Sequence, residues 1–535
     1  MNIRRRVAAG VIILGLVWGV FGEWKTPVLA QGLARQTTVT APYTEYQWWL
    51  IEFLDNEVLC QVAVDHEGLP SIGEVSRACG ADLAAIWWNT PPCKLKPDKP
   101  CDGLYMYFVS QAPKERQITV DLPTPVVWVT LSGCDPQPPE NLCPQMPNLV
   151  LSAEEPLPEH RILAVQGVYD GDPFYCEGPV CQLPLRATPL TGVTVEFWAD
   201  SSFGDSSEHY TAQVRVLDTG VSNAPNPAGG SGFYVDVIST QWTGEALTSC
   251  AKIWEAFPPV GEPPNWLKTP DHFEVMASGE PYYYLAGRLI AQGLVDAAAC
   301  PNKGLMPNGY ADACGLETAR PLVEDWQNQF DQRIIQTANE TGVPAQLMKN
   351  LFAQESQFWP GMYRVPYEFG LGQITDQGAD PIFIWNPVFF GQFCPLVLSQ
   401  EACDRGYLAL SENDRSILRG YLALQARADC ADCPSGIDLS NVNFTISLFA
   451  NTLQANCAQV ARSIFTATGE MAGRVASYED LWRLAIANYH AGPGCTSFAI
   501  HQSWQLSATL AWPQLSTYFT EPCMGAAAYV NQITR

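Results

Sequence analysis

The chain has 535 residues, of which 47% are hydrophobic and 16% charged, so it is too long for one ordinary domain and too apolar for a disordered protein. Its formal net charge of −25 excludes a nucleic-acid partner, because no basic surplus exists to displace counterions. A sugar polymer would be held by hydrogen bonds and aromatic faces, which the 17 Trp and 20 Tyr can supply.

The N-terminus has the pattern of a targeting segment. Arg4, Arg5 and Arg6 precede an apolar stretch over 7–21 and small residues over 28–30. Residues 1–30 are therefore expected to be a cleaved signal peptide or an uncleaved anchor, and both place the body of the chain outside the cytoplasm, secreted or in the cell wall or periplasm. The 18 Cys agree with an oxidising compartment, and the six His are too scattered to suggest metal ligands.

The first half of the chain is rich in predicted strands. Residues 31–145 have strand patterns at 47–53, 58–64, 104–109 and 126–131 and a helix near 71–85, which predicts a β-rich or α+β domain of unknown role. A Pro- and Cys-rich stretch over 134–147 indicates a boundary. Residues 148–245 have short strands at 161–168, 192–198, 210–217 and 232–238, and this spacing is typical of a β-sandwich.

The second half is mainly helical. Residues 246–316 are interpreted as a linker with one helix at 282–298, and long helical periodicities fill 317–535, including helices at 442–456, 457–466 and 525–533. The expected fold class is therefore multidomain α+β, with N-terminal β-rich domains followed by a mainly α-helical domain. We expect the region from about 316 to be catalytically self-sufficient. It contains seven Cys, an odd number, so one pairs with an upstream Cys or stays free.

Glu355 is the first candidate for a chemical role. Pro344 suits the start of a helix, and Leu347, Leu351 and Glu355 fall at i, i+4 and i+8. Glu355 therefore continues an apolar stripe, where burial would raise its pKa and let it act as a general acid. The alternative is a helix-end Glu that reaches solvent, and periodicity alone does not separate the two.

Three segments around Glu355 form a pattern. Residues 353–360 read Ala-Gln-Glu-Ser-Gln-Phe-Trp-Pro, residues 370–373 read Gly-Leu-Gly-Gln, and residues 488–494 read Asn-Tyr-His-Ala-Gly-Pro-Gly. In this order they resemble the three signature motifs of soluble lytic transglycosylases, in the superfamily of lysozyme-like folds that includes goose-type lysozymes. Gln373 follows Glu355 by 18 residues, as in that family. The resemblance covers about 320–535.

The resemblance implies a lysozyme-like domain with Glu355 as the single catalytic acid and base, and it implies no metal or cofactor. Ser356 would orient Glu355 or bind the substrate, and Tyr489 would hydrogen-bond near the catalytic carboxyl. The residues expected to bind the substrate are Ser356, Gly370, Leu371, Gln373, Tyr489, His490, Ala491 and Gly492. His490 replaces the usual Asn of the family, and the insertion at 376–440, with Cys394, Cys403, Cys430 and Cys433, is expected to form a disulfide-stapled wall of the groove.

The implied reaction breaks the β-1,4 bond between N-acetylmuramic acid and N-acetylglucosamine and leaves 1,6-anhydro ends. A first alternative is lysozyme-type hydrolysis on the same fold, which needs a second carboxylate; Glu368, Asp376 and Asp380 are the candidates. A second alternative is a non-catalytic cell-wall-binding protein. The expected partners are peptidoglycan glycan strands and, through the N-terminal domains, cell-envelope proteins.

Overall fold

A computed structural model describes residues 35–535 except 92, 94–100, 137–141, 223–230, 244–248, 261–262, 273–275, 361–362, 365–366, 376–377 and 434. The expected signal segment therefore lies outside the described residues. The chain divides into two compact units, the first ending at Thr124 and also containing Ser202–Ser206, and the second containing the rest of 125–535. The α+β class is confirmed, with a β-rich first half and a helical second half.

The first unit is an antiparallel sheet with two helices on one face. The sheet order is β2-β1-β3, where β1 is Gln36–Glu52, β2 is Val58–Val64 and β3 is Leu104–Asp121. Helices α1 (Ile72–Cys79) and α2 (Ala81–Asn89) replace the single helix expected near 71–85, because Gly80 between them has φ +90° and breaks the helix. Leu50 and Val62 of the sheet pack on Val75 of α1 and form a small core.

Residues 125–243 form two antiparallel sheets. The strands are β4 (Val126–Ser132), β5 (Leu142–Cys143), β6 (Asn148–Glu154), β7 (Ile162–Tyr169), β8 (Asp172–Glu177), β9 (Val180–Pro184), β10 (Val193–Ser201), β11 (Tyr210–Ser222) and β12 (Ser231–Ile238). One sheet has the order β5-β12-β11-β10-β7-β8 and the other β4-β6-β9. Alternate residues of both, such as Val129, Leu151 and Phe197, share one hydrophobic core.

The predicted boundary near 145 had placed the strand at 126–132 in the first domain. The structure places it with the following strands instead. It pairs with β6 from Val126 opposite Glu154 to Ser132 opposite Asn148. Its inward residues Val127 and Val129 are fully buried in the core shared by the two sheets. The Pro- and Cys-rich stretch after it connects two strands of the same region, because proline-rich turns are equally suited to a loop within a domain.

Residues 249–535 form the helical region. Its elements are α3 (Ser249–Trp254), α4 (Tyr283–Ala291), α5 (Ala313–Asn328), α6 (Asp331–Thr341), α7 (Ala345–Ser356), β13 (Tyr363–Arg364), β14 (Tyr367–Phe369), β15 (Ile374–Thr375), α8 (Ala379–Trp385), α9 (Pro387–Phe393), α10 (Gln400–Asp404), α11 (Glu412–Ala426), α12 (Leu439–Thr468), α13 (Ala472–Val475), α14 (Tyr478–Ser507), α15 (Trp512–Leu515) and α16 (Gly525–Ile533). The two longest helices, α12 and α14, pack along each other. The two helices expected at 442–466 are the single helix α12, because no breaker interrupts them and Cys457 continues the buried stripe.

The segment interpreted as a linker, 246–316, is part of the helical core. Trp254 of α3 is fully buried against Trp482, and its indole nitrogen donates to the carbonyl of Cys457 at 3.0 Å. Leu285 and Leu289 of α4 are also fully buried. The linker interpretation was wrong, since a region starting near 316 would expose this apolar surface.

Nine cysteine pairs lie at disulfide distance and account for all 18 Cys. The pairs are Cys60–Cys79, Cys93–Cys101, Cys134–Cys143, Cys176–Cys181, Cys250–Cys457, Cys300–Cys314, Cys394–Cys403, Cys430–Cys433 and Cys495–Cys523. The upstream partner of the odd Cys is Cys250, which pairs with Cys457 of α12. This many pairs suggests an oxidising, extracellular environment.

Within the described part of the chain, no helix combines the length and the apolar composition needed to cross a bilayer.

Candidate active site

The site is built around the C-terminal end of α7. Leu347 and Leu351 are fully buried and hold the helix in the core, and Glu355 follows one turn later as predicted. The helix ends at once after Ser356, because Gln357 and Phe358 both have left-handed backbone conformations, with φ of 49° and 58°. Two such residues in succession are strained, and strain of this kind concentrates at functional sites.

The surrounding structure compensates for this strain. The side-chain Oε1 of Gln357 accepts hydrogen bonds from the backbone N–H groups of Tyr284 and Leu285, at 2.8 and 3.1 Å, at the start of α4. The indole nitrogen of Trp326 donates to the carbonyl of Phe358 at 2.9 Å, and the Phe358 ring is fully buried. These contacts fix the point where α7 stops and therefore the position of Glu355.

Glu355 lies in a largely buried environment with one direct hydrogen-bond donor. Burial raises the pKa of its carboxyl to about 7, the Tyr529 hydroxyl lowers it by donating to Oε1, and the nearby charge of Glu368 raises it further. Near neutral pH a substantial fraction of Glu355 is therefore protonated. A carboxyl in this state can donate a proton and later accept one.

Tyr529 is the residue of the site that the sequence reasoning missed. It lies on α16, whose apolar stripe contains Ala526, Val530 and Ile533. The final helix was expected from the sequence, but its tyrosine was not singled out. A signal was present, because a tyrosine in a buried stripe needs a partner for its hydroxyl.

His490 supports Tyr529 through ring stacking. The two ring centroids are 3.8 Å apart and the planes differ by 8°. Partial desolvation lowers the pKa of His490, although the residue remains exposed. His490, which stands where the motif that the sequence resembles has Asn, thus packs on the tyrosine that contacts Glu355.

The turn at residues 370–373 packs closely on α12, and this explains both of its glycines. A Cβ at Gly370, where φ is +69°, would lie 2.6 Å from Cβ of Thr445. A Cβ at Gly372 would lie 2.1 Å from the Phe449 ring. Leu371 between them is fully buried. The motif therefore seats the turn against one face of α12, where any side chain at either glycine would push it away.

Gln373 ends this turn with an unsatisfied acceptor. Its amide nitrogen donates to the carbonyl of Gly370 at 2.8 Å, and the residue is 7% exposed. Its Oε1 is buried and has no partner among the described residues. Such an orphaned acceptor is costly and suits a ligand that brings an N–H or O–H group.

Tyr489 joins the second and third motifs. Its hydroxyl donates to the carbonyl of Gly372, and its ring packs edge-on against Phe449 with centroids 5.3 Å apart. Burial and the charges of Glu355 and Glu368 raise the pKa of Tyr489 well above its ordinary value. The side chain therefore lies near both carboxyls, although its hydroxyl bonds to the turn and not to Glu355.

The contacts of the other predicted residues, Ser356, Ala491 and Gly492, lie within the fold itself. Ser356 is 2% exposed, and its hydroxyl donates to the carbonyl of Phe352 in its own helix, at 3.2 Å. Ala491 packs on the helical core. Gly492 leaves the helical conformation, with φ 81° and ψ 167°, but the chain resumes helix at Pro493 and continues to Ser507.

The candidates for a second carboxylate differ in whether they interact with Glu355. Glu368, on β14, has its own pKa raised by burial and interacts electrostatically with Glu355 and Tyr489. Asp380 is held by Arg419 at 3.1 Å and by the Tyr407 hydroxyl at 2.5 Å. Asp376 lies outside the described residues. Glu368 is thus the carboxylate that shares the electrostatic environment of Glu355.

A cavity of about 770 Å³ beside α7 is not lined by Glu355. It is lined in part by Gln346 and Asn350, which lie on the opposite side of α7 from Glu355 because a helix turns by 100° per residue. The amides of both residues bond to protein groups, namely the carbonyls of Ala277 and Ile533. Desolvation, backbone strain and a perturbed pKa coincide at the Glu355 end of α7, which makes Glu355 the candidate for a chemical role.

In the part of the chain that the structure describes, no group of three or more His, Cys, Asp or Glu side chains could hold a metal ion. No family model, no curated protein and no solved structure matches the chain.

Proposed function

We propose that the chain is an exported lytic transglycosylase that cleaves peptidoglycan glycan strands, with Glu355 as its single acid and base. The observation that carries this proposal is the largely buried carboxyl of Glu355, whose pKa is raised to about 7 and which accepts one tyrosine hydroxyl. The three sequence motifs support it, because the turn at 370–373 and Tyr489 meet through a hydrogen bond beside this carboxyl.

In the proposed reaction, protonated Glu355 donates its proton to the oxygen that bridges N-acetylmuramic acid and N-acetylglucosamine. The acetamido group of the substrate stabilises the positive charge that develops at the anomeric carbon, a known substrate-assisted route. The carboxylate of Glu355 then takes the proton of the muramoyl 6-hydroxyl, which attacks the anomeric carbon and closes the 1,6-anhydro ring. Tyr529 stabilises the carboxylate between the two proton transfers.

Gln373 has a proposed part in substrate binding. Its Oε1, which has no partner among the described residues, would accept a hydrogen bond from the substrate. The turn that carries Gln373 packs against Thr445 and Phe449. Such preorganised acceptors position a substrate without needing to reorganise during the reaction. Ser356 has no such free group, because its hydroxyl is bonded within α7.

The test is digestion of purified peptidoglycan with the full chain, followed by mass spectrometry of the fragments. We expect 1,6-anhydromuramoyl ends. Reducing ends, which are one water heavier, would instead show hydrolysis. The same digestion with Glu355→Gln controls for contaminating enzymes, and intact peptidoglycan after digestion with the unmodified chain would contradict the proposal.

Hydrolysis of the same bond is the second candidate function, and the electrostatic interaction between Glu355 and Glu368 favours it. A second carboxylate near the acid could hold a water molecule on the other side of the sugar, as in inverting enzymes, where the two groups are about 6.5–9.5 Å apart. In that case Glu368→Gln would slow cleavage almost as much as Glu355→Gln. In the transglycosylase reaction, Glu368→Gln changes mainly the pH dependence.

We also propose that residues 125–243 are a β-sandwich, because the two sheets bury one common core. The proposed partners of the whole chain are peptidoglycan glycan strands and, through the N-terminal regions, proteins of the cell envelope. The oxidising environment suggested by the nine cysteine pairs supports a place in or outside the envelope.

A further inference from the structure

The sheet of the first unit has a second face that the helices do not use. Tyr46, Trp48 and Leu50 of β1 belong to the core under α1 and α2. Successive side chains of a strand alternate, so Trp49 and Ile51 lie on the opposite face. Phe53, in the turn that follows β1, stacks on Tyr105. On β3, Tyr107 pairs with Trp49 and Tyr105 with Ile51. We call the group formed by Trp49, Ile51, Phe53, Tyr105 and Tyr107 the aromatic face.

The rings of the aromatic face form its outer surface. The centroids of Trp49 and Tyr107 are 6.5 Å apart with planes at 34°, and those of Phe53 and Tyr105 are 4.5 Å apart with planes at 30°. Ile51, which lies among them, is only 6% exposed, whereas Tyr107 is 54% exposed. The rings therefore cover the aliphatic side chain and turn apolar surface toward solvent.

Uncharged amides accompany the rings. Gln61 of β2 pairs with Trp49, and Gln47 precedes Trp49 by two residues on the same face. The Tyr105 hydroxyl donates to Oδ1 of Asn56 at 3.2 Å. None of these positions is charged, although the chain has 55 acidic residues. The ligand that fits this surface is neutral and offers both donors and acceptors, since an amide side chain has both.

The size of the aromatic face argues against a folded protein as the partner. Three strands and four residues along them span about 10 by 13 Å. A stable protein–protein interface buries about 800 Å² on each partner, several times this area. A short stretch of a sugar polymer has apolar C–H faces and polar edges on the same scale as these rings.

We propose that the aromatic face binds a neutral β-linked glycan strand, with sugar rings stacked on Trp49 and Tyr107 and with hydroxyl or acetamido groups bonded to Gln47 and Gln61. This gives the first unit a role in holding glycan, separate from cleavage at Glu355. The choice of peptidoglycan as the natural glycan rests on the proposed function, whereas the chemistry of the surface does not.

The test uses the full chain with Glu355→Gln, so that bound glycan is not cut. Binding is measured by co-sedimentation with insoluble peptidoglycan and by tryptophan fluorescence with a β-1,4-linked N-acetylglucosamine tetrasaccharide. Trp49→Ala combined with Tyr107→Ala should weaken both by about tenfold or more, the effect of two lost ring contacts. Trp88→Ala removes a 64% exposed tryptophan of α2 and should change neither.

Replacing both rings by phenylalanine should keep binding within about twofold, because stacking needs a ring and not its polar atom. If the double alanine variant fails to fold, Tyr107→Ala alone decides, since this ring is mostly exposed. Unchanged binding in a folded variant overturns the proposal. A dimer of the unmodified chain that dissociates on Tyr107→Ala also overturns it, because the face would then bind protein. If the unmodified chain never cleaves peptidoglycan, the proposed enzyme is refuted. If the alanine variant then still loses glycan binding, the glycan-binding role of the aromatic face is retained.

Discussion

Helix α7 carries two ionisable side chains with shifted pKa values, the fully buried Lys349 and the partly buried Glu355, and their surroundings differ. The Lys349 ammonium is fully buried and donates to Asp331 at 2.6 Å, to Asn328 at 2.9 Å and to the carbonyl of Met276 at 3.3 Å. All three of its donors are used. Glu355 accepts one tyrosine hydroxyl, and none of the described cations forms an ion pair with it.

The difference separates a structural ionisable group from a reactive one. Burial lowers the pKa of Lys349 and raises that of Asp331 to about 6, but each charge opposes the shift of the other, so the pair stays together near neutral pH. None of the cations among the described residues pairs with Glu355 to keep it ionised. A buried carboxyl that is left without a cation gains and loses a proton near pH 7, and this is what an acid and base needs.

The largest expected effect is on catalysis by Glu355, the residue of this contrast without an ion-pair partner among the described cations. Glu355→Gln should reduce peptidoglycan cleavage by about 10²–10⁴-fold or more, because the amide cannot transfer the proton in either step. The fold should be preserved, since the amide fits the same space. Turbidity loss of peptidoglycan suspensions measures the effect, with the exposed Glu324→Gln as the matched control. More than about a tenth of normal activity would exclude Glu355 as the single acid.

Substitutions in the ion pair between Lys349 and Asp331 should change the stability of the fold. Lys349→Met leaves Asp331 buried without its partner and should lower the free energy of unfolding by about 3–5 kcal/mol. Replacing both, as Lys349→Met with Asp331→Leu, should recover most of this loss. Chemical denaturation of the two variants measures the effect. If the single and double variants are equally unstable, the pair is not the source of the stability.

The pH dependence of stability further distinguishes Glu355 from the pair of Lys349 and Asp331. The folded-state pKa of Glu355 is raised from 4.5 to about 7, so its favourable contribution is fully present below pH 4.5 and is lost as the pH rises through 7. Glu355→Gln lacks this loss and should be more stable than the unmodified chain by about 2 kcal/mol at pH 8, with little difference at pH 4. Thermal melts at both pH values test this, and a difference that does not grow with pH would contradict the raised pKa.

The smallest expected effect is a shift of the pH–activity profile. The proposed reaction begins with protonated Glu355, so kcat/KM should fall as the pH rises above about 7. Tyr529→Phe removes the hydrogen bond that lowers this pKa and should move the fall to higher pH. Glu368→Gln removes a charge that raises it and should move the fall to lower pH. Tyr518→Phe, in the 3-10 helix at Ser516–Tyr518, is the control. Shifts in the same direction for both site variants would show that the groups are misassigned.

Local patterns predicted much of the fold, and the failures have physical reasons. Alternation predicted strands at 47–53 and 192–198, which overlap β1 (Gln36–Glu52) and β10 (Val193–Ser201), because side chains alternate whether or not the partner strand is known. The domain boundary near 145 was wrong, because strand pairing between β4 and β6 is a tertiary contact. The linker at 246–316 was wrong for the same reason, since Trp254 is buried by α12 and α14, which lie far away in sequence.

At the candidate site, helical periodicity placed Glu355 on a helix, which is α7, and a raised pKa of Glu355 was expected from its place in an apolar stripe. The contact from Tyr529 could not be predicted, since it joins residues separated by 174 positions. The role of Gly372 was also hidden, because the atom that excludes a side chain there belongs to Phe449. Whether these groups cleave glycan stays a prediction.

The bond between Cys250 and Cys457 makes the 208 residues from one to the other a closed covalent ring. Glu355 and the turn at 370–373 lie within the ring, whereas Tyr489 and Tyr529 lie on the tail that leaves it. A protease that cuts once inside the ring opens it but releases nothing, because the two halves remain joined through the sulfur atoms. A protease that nicks a surface loop of this ring would therefore still leave one molecule, with Glu355 and the turn at 370–373 attached to the same covalent framework.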